Sequence, residues 1–569
     1  MQPIEMIPFA PAHRPCDLLL TNGRIIDVFS GELVDGSVAI TGGRIAGIGE
    51  YPARRVVDLG GRFVAPGFID SHVHIESSML CVGEFARAVV ARGTTAVVAD
   101  PHEIANVLGV QGIRYMLESA QSQPVNIFYT LPSCVPATDL ETSGARLTAA
   151  DLDPLFKEVR VVALGEMMNY PGVLNGDPQI LAKIETARRH GKPVDGHAPA
   201  LSGGDLMAYV AAGITSDHEC TTAAEAFEKL SAGMHIMVRQ ATSARNLKDL
   251  LPIITERSAP RLMWCTDDRH PHDLLNEGHI DAMVAEAIRS GVNPVTAVRM
   301  ATLNPAERFG LNHLGAVAPG RQADLVVFSD LSSPRIEEVY ARGELVARNG
   351  RMAPGFTSPD PIPAPPSMKA NLQALDFAVS CLQQRLRVIE VVPGQIVTRQ
   401  STETAPIIGS QLVSDPSRDL IKIAVIERHT GSGRMGIGMV RGFGLKRGAL
   451  ASSVAHDSHN IIVAGVSDQD MRAAVEAVVA MGGGLVAAAG GRVVAQLRLP
   501  IAGLMSLEPV QAVSDAMDGL IRAAGDMGSS LKDPFMALSF LALPVIPELK
   551  LTDLGLVDVG RFKHVSLFV

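Results

Sequence analysis

Between residues 64 and 268 the chain repeats one pattern eight times: a short apolar run, then a longer stretch of helical character. The runs are VAPGFID (64–70), TTAVVAD (94–100), NIFYTLPS (126–133), VVALGEM (161–167), KPVDGHA (192–198), GITSDHE (213–219), HIMVRQ (235–240) and RLMWCTDD (261–268). GEFARAVVARG and DPQILAKIETARRHG are two of the helical stretches between them. Parallel strands need a crossover connection, so alternating strands and helices imply βαβ units. Eight in succession predict an α/β fold built on a closed (β/α)8 barrel rather than an open sheet.

The flanks read differently. Residues 17–50 carry short β-rich runs broken by Gly and Asn-Gly, the texture of a small antiparallel sheet. That texture returns at 320–330 and 337–351, so the two distant segments could share one sheet. Residues 353–368 hold six prolines and predict a stiff linker. A third region follows with its own strands and helices. The expected division is 1–63 with 310–352, a barrel over 64–309, the linker 353–368, and a C-terminal α+β domain over 369–569. Within that last region GSGRMG (431–436) follows a strand, but IGMVRGFG after it is no amphipathic helix. A glycine-rich turn is expected there rather than a dinucleotide cradle.

Composition removes several function classes. With 47% hydrophobic and 19% charged residues among 569, the chain is an ordinary globular one. Its net charge of −10 argues against nucleic acid as a partner. No apolar run reaches the roughly 20 residues that span a bilayer. The N-terminus has no secretory pattern, and the six cysteines form no CxxC. A reduced, cytoplasmic protein is expected.

The chemistry gathers at the strand ends, which in such a barrel face one mouth. Strand one ends in Asp70, His72, His74 and Glu76; strand two in Asp100, His102 and Glu103. Strand four carries Glu166, strand five His197, strand six His218, and strand eight Asp267 and Asp268. Residues two apart in a strand share a face, so His72 and His74 can address one ion. Six candidate ligands (His72, His74, Glu166, His197, His218 and Asp267) exceed what one tetrahedral site takes. Two adjacent divalent cations fit better, with Glu166 able to bridge them. His190, His235, His279 and His313 are assigned to packing or surface, and His270 and His272 to a supporting place beyond strand eight. Asp100-Pro101 also has the form of a helix cap.

The ordered set FIDSHVHIES, GEMMNYPGV, DGHAP, SDHE and CTDDRHPHDLL resembles the amidohydrolase superfamily. VVADPHEIANVLG (97–109), ALGEMMNYPGV (163–173), DGHAPALSG (195–203), CTDDRHPHDLL (265–275) and VAHDSHNIIVAG (454–465) make it more similar to its adenine deaminase family, over nearly the whole chain. The resemblance implies a small β-sandwich built from both flanks of the barrel. It implies a binuclear site in which His72, His74 and Asp267 serve one metal, His197 and His218 the other, and Glu166 bridges. Many superfamily members bridge with a carboxylated lysine, and strand four ends here without one. Manganese or iron is implied ahead of zinc, and a homodimer is expected.

The implied reaction is hydrolysis of adenine to hypoxanthine and ammonia, in purine salvage, with metal-activated hydroxide as nucleophile. Asp267 would shuttle the proton and His218 would polarise the intermediate. Asp100, His102 and Glu103 would hold the purine ring, with Glu103 also counted as catalytic. Unrelated base deaminases need a PCxxC motif, which is absent from the sequence. The same metals could instead open a cyclic amide or an acetamide. A non-enzymatic scaffold would be expected to have lost ligands, whereas all six are present.

Overall fold

The computed structural model describes residues 14–354, 361–380 and 383–569. Its centre is the barrel. The eight strands are β1 Phe68–Val73, β2 Thr94–Ala99, β3 Asn126–Leu131, β4 Val161–Met167, β5 Val194–Gly196, β6 Ser216–Asp217, β7 His235–Arg239 and β8 Leu262–Cys265. β1 to β5 pair in order as one parallel sheet, and β6 to β8 as another. Single parallel bridges, Val194 with Ile214 and Val73 with Asp267, join the two and close the ring. The surrounding helices turn one apolar stripe inward. In helix Val82–Val90 that stripe is Val82, Phe85, Ala86, Val89 and Val90, at i, i+3, i+4, i+7 and i+8.

Several strand boundaries differ from expectation, three of them around the site. The run 64–70 straddles two elements. Phe63–Pro66 pairs antiparallel with Leu325–Phe328 in the flanking sheet, and β1 begins only at Phe68. Gly67 makes the switch in close quarters, since a Cβ there would lie 2.1 Å from Thr95 Oγ1. Both halves are apolar, so hydropathy cannot tell which sheet each joins. β5 and β6 are shorter than the runs that predicted them. The backbone beyond each is captured by side chains: His197 N–H donates to Tyr209 Oη (3.1 Å), and Ala198 and Glu219 N–H to Asp217 (2.8 and 3.1 Å). These bonds replace the ladder and release His197 and His218 into the mouth.

The two flanks do meet. Nine strands drawn from 16–66 and 325–352 form one sheet beside the barrel. Of the proline-rich segment, residues 355–360 lie outside the described residues; Ile362 and Ala364 pack against the core. Beyond it an eight-stranded sheet runs from the edge strand Thr398–Thr404 to Arg492–Arg498. Its central strand Ile421–Ile426 alternates: Ile421, Ile423 and Val425 join one core, Ala424 and Ile426 the other. Helix Asp468–Ala480 covers the second face, and helix Val510–Asp526 the first. The first four residues of GSGRMG form a turn that leads into the strand Met435–Arg441, and Glu427 accepts the N–H groups of Thr430 (2.6 Å) and Ser432 (2.9 Å) there. A carboxylate holds the donors that a phosphate cradle would need.

The C-terminal region is fused to the barrel. Cys81 N–H donates to Ser506 O (2.9 Å), Ser506 N–H to Met79 O (2.8 Å), and one continuous apolar cluster includes Phe85, Met505 and Met517.

Candidate metal centre

The six expected ligands come together at the C-terminal end of the barrel. All but the half-buried His197 are buried. Glu166, the penultimate residue of β4, divides them. Its Oε1 lies 3.2 Å from His74 Nε2 and 4.0 Å from His72 Nε2. Its Oε2 lies 2.6 Å from His197 Nδ1 and 3.4 Å from His218 Nε2. Asp267 Oδ1 adds to the first side, 3.1 Å from His74 and 3.5 Å from His72. One carboxylate thus faces two pairs of imidazole nitrogens with its two oxygens.

The donor chemistry fits divalent cations. His72 Nε2 and His74 Nε2 are 3.1 Å apart. His74 Nδ1 faces the Asp100 carbonyl at 3.0 Å, so Nδ1 carries the hydrogen and Nε2 turns a lone pair to the centre. Imidazole nitrogen with carboxylate oxygen is a donor set for zinc, iron or manganese. Burial opposes charge on His74, yet Asp267 and Glu166 outweigh it and hold its pKa well above the usual range. Burial likewise works against Glu166, but His197, His218 and His74 keep it well below the normal carboxylate range. Protons and cations therefore compete for these nitrogens.

Local structure explains the placement. Asp267 has a left-handed backbone (φ 56°), a region that aspartate tolerates better than most residues. Its N–H donates to His72 O (3.0 Å), which completes the closure between β1 and β8. Asp70 ties the same strands: its carboxylate accepts from His72 N–H, Thr266 N–H (3.2 Å each) and Thr266 Oγ1 (2.5 Å). His279 is a packing residue, buried with Nε2 3.1 Å from Asp70 and Nδ1 2.8 Å from Thr94 Oγ1.

The strand-two cluster lies beside the centre. Asp100 does not cap the helix His102–Leu108; its Oδ2 accepts the Glu166 N–H at 3.1 Å. His102 Nδ1 is 3.4 Å from Glu166 Oε1, buried and without a hydrogen-bond partner. Asp100 and Glu103 outweigh the burial of His102 and raise its pKa well above the usual value. Glu103 has both oxygens engaged by the C-terminal region: Oε1 with His456 Nδ1 (2.8 Å) and Oε2 with His459 Nε2.

Two groups escaped the sequence reading. Arg239 Nη1 donates to Asp267 Oδ2 (2.9 Å) and its guanidinium also holds Glu219. Lys229, fully buried, donates to Ala198 O (2.7 Å), Asp217 Oδ2 (2.9 Å) and Glu225 Oε1 (2.7 Å). It anchors the backbone next to His197 and His218. Both look like ordinary charges on regular elements, and only tertiary context distinguishes them.

Known proteins agree with this architecture. Residues 63–346 match the amidohydrolase family, and residues 395–563 the adenine deaminase C-terminal domain. The chain is 55% identical to an adenine deaminase of Desulfatibacillum aliphaticivorans, over 99% of each chain. It is 48% identical to adenine deaminase 2 of Carboxydothermus hydrogenoformans over 100% of each, and 49% to an adenine deaminase of Methanothrix thermoacetophila over 99% of each. A barrel mouth with a carboxylate between two histidine pairs, joined to that C-terminal domain at full length, places the chain in the adenine deaminase family of the amidohydrolases.

Proposed function

We propose that the chain hydrolyses adenine to hypoxanthine and ammonia at this mouth. The carrying observation is Glu166, whose two oxygens face His72 with His74 on one side and His197 with His218 on the other. Two divalent cations held by these residues and Asp267 would supply a water acidic enough to attack at neutral pH.

The residues do the rest. Arg239 holds Oδ2 of Asp267 and leaves Oδ1 turned toward His72 and His74. Asp267 Oδ1 takes the proton of the attacking water and passes it to the departing amine. His218, stacked on His72 with ring centroids 4.1 Å apart, sits where it can polarise the tetrahedral carbon's substituents. Protonated His102 offers Nδ1–H, which lies within 4 Å of Asp100 and Glu166 but in no hydrogen bond, to purine N1, which draws electron density from C6. Asp100 orients His102 from 3.7 Å, and Glu103 supports it from behind, 3.5 Å from Nε2. Manganese or iron as the metal, a place in purine salvage, a cytoplasmic site and a homodimer are carried by the family resemblance. No helix among the described residues is long and apolar enough to cross a membrane.

The decisive assay is ammonia release from adenine, adenosine, guanine and cytosine by manganese- or iron-loaded protein, beside a panel of cyclic amides. Adenine should be the preferred substrate. Faster opening of a cyclic amide would replace this reading with a hydantoinase-like one.

A further inference from the structure

The C-terminal turn over residues 455–460 brings His456 and His459 to Glu103. Its backbone is fastened from the C-terminal side. His459 N–H donates to Ala455 O (2.7 Å), His429 Nε2 to Ser458 O (2.7 Å), and the fully buried Arg428 donates Nε–H to His459 O. Asn460 Nδ2 donates to Thr142 O (2.8 Å) and ties the far end to the barrel. Both imidazoles are buried and held on a second side as well. Ala455 N–H donates to His459 Nδ1 (3.2 Å). The His456 ring stacks on Phe540, the last residue of helix Pro534–Phe540, with centroids 4.9 Å apart.

Each ring turns a different nitrogen to Glu103. His456 uses Nδ1, 2.8 Å from Oε1, and His459 uses Nε2, against Oε2. Because His459 Nδ1 is an acceptor, the hydrogen of the neutral ring sits on Nε2, toward Glu103. Burial holds the His459 pKa down at about 4, so that ring is neutral. At His456 burial is outweighed by Glu103, which lifts the pKa to about 9. A cation among the three residues would need the lone pair that the Nε2 hydrogen occupies, so they form a hydrogen-bonded clamp. The clamp fixes both oxygens of Glu103, and the Oε1 that His456 holds is also the one 3.5 Å from His102 Nε2.

We propose that His456 and His459 are positioning residues of the catalytic site: through Glu103 they fix the ring of His102 toward the substrate, so that the C-terminal domain completes the barrel's active site. The inference rests on the adenine deaminase reading above. Steady-state kinetics with adenine are measured for alanine, asparagine and glutamine variants of both histidines and for Glu103→Gln, each with metal content and a thermal melt. Negative charge builds at N1 as C6 is attacked, so a displaced His102 costs kcat more than KM. His456→Ala and His459→Ala should each lower kcat by about 10- to 100-fold with two metal equivalents retained, the usual cost of losing a group that orients a working residue. An asparagine amide nitrogen can stand where Nδ1 lay, and a glutamine amide nitrogen where Nε2 lay. His459→Gln should therefore recover most of that loss and His459→Asn little. His456→Asn should recover part of it, as a donor without the charge, and His456→Gln less. Adding His456→Ala to Glu103→Gln should cost under about threefold more, because the effect passes through Glu103. A full second loss in that double variant overturns the proposal, as does wild-type kcat in either alanine variant. Where the alanine variants do not fold, equal kcat in the asparagine and glutamine variants of each histidine overturns it. Three metal equivalents in wild type, falling to two in His459→Gln, would also overturn it and make the trio a metal site. Failure of wild-type protein to deaminate adenine would instead strike the parent reading, and the same variants are then compared on the cyclic amide that wild type opens.

Discussion

Lys229→Met should weaken metal binding although Lys229 touches no ligand directly. The lysine is fully buried and bonded to Asp217, Glu225 and the Ala198 carbonyl. Asp217 is equally buried and accepts the N–H groups of Ala198 and Glu219, the residues that follow His197 and His218. Removing one partner of a buried ion pair costs about 3–5 kcal/mol. The two backbone N–H bonds remain on Asp217, so the lower end, about 3 kcal/mol, applies. Loosening of both histidine-bearing loops should then lower metal affinity about 10- to 100-fold, the range found when groups that orient ligands are lost. The measurement is metal content after dialysis against graded chelator, beside thermal melts. Replacing both partners, as Asp217→Leu with Lys229→Met, should recover part of the stability, because no charge is left unpaired. It should not recover metal affinity, because the Ala198 and Glu219 N–H anchors go with Asp217. If Lys229→Met melts early yet holds metal within about threefold of wild type, the anchoring argument is wrong and the network serves folding alone.

Glu166→Gln should lose most metal and activity together, since an amide bridges two cations poorly; normal metal content with normal turnover would refute the bridging role. Asp267→Asn should keep the fold and lower kcat by about 10³-fold or more, because ligation and proton transfer both suffer. A drop under about tenfold would remove Asp267 as the shuttle. Lys550 gives a pH signature away from the site. Burial alone pushes its pKa down to about 7, and its Nζ donates to the carbonyls of Ile396 and Phe540 (2.9 Å each). Between about pH 7 and 10 the unfolded chain holds a proton that the folded chain has released, so stability rises with pH by up to about 1.4 kcal/mol per unit. The difference between wild type and Lys550→Met in denaturation midpoints should grow across that window; parallel curves would show that Lys550 stays charged.

The barrel and the gathering of candidate ligands at its mouth were legible because they obey short-range rules. A short apolar run is visible wherever it falls, six of the eight carry a histidine or acid at the end, and eight runs in succession leave few alternatives to a ring. The boundary at Gly67 was not legible. Phe63–Pro66 and Phe68–Val73 are equally apolar, and only their partners assign one to the flanking sheet and the other to the barrel. Lys229 shows the same limit in a helix: within AAEAFEKLS it reads as the solvated end of an i, i+4 pair with Glu225, yet the helix turns that pair inward onto Asp217. His456 and His459 are polar residues in the apolar stretch 454–465, but their partner Glu103 is 353 and 356 positions away. No local period encodes a contact at that separation. It exists because the apolar surface around Phe85, Met505 and Met517 seats the C-terminal region on the barrel, and the polar contacts follow from that seat. Hydrophobic burial sets where the two regions meet, and the buried acids and imidazoles at the join then need each other, since an uncompensated charge in that interior costs more than either contact alone returns. The residues least visible in the sequence are thus the ones that link the metal centre to the rest of the fold.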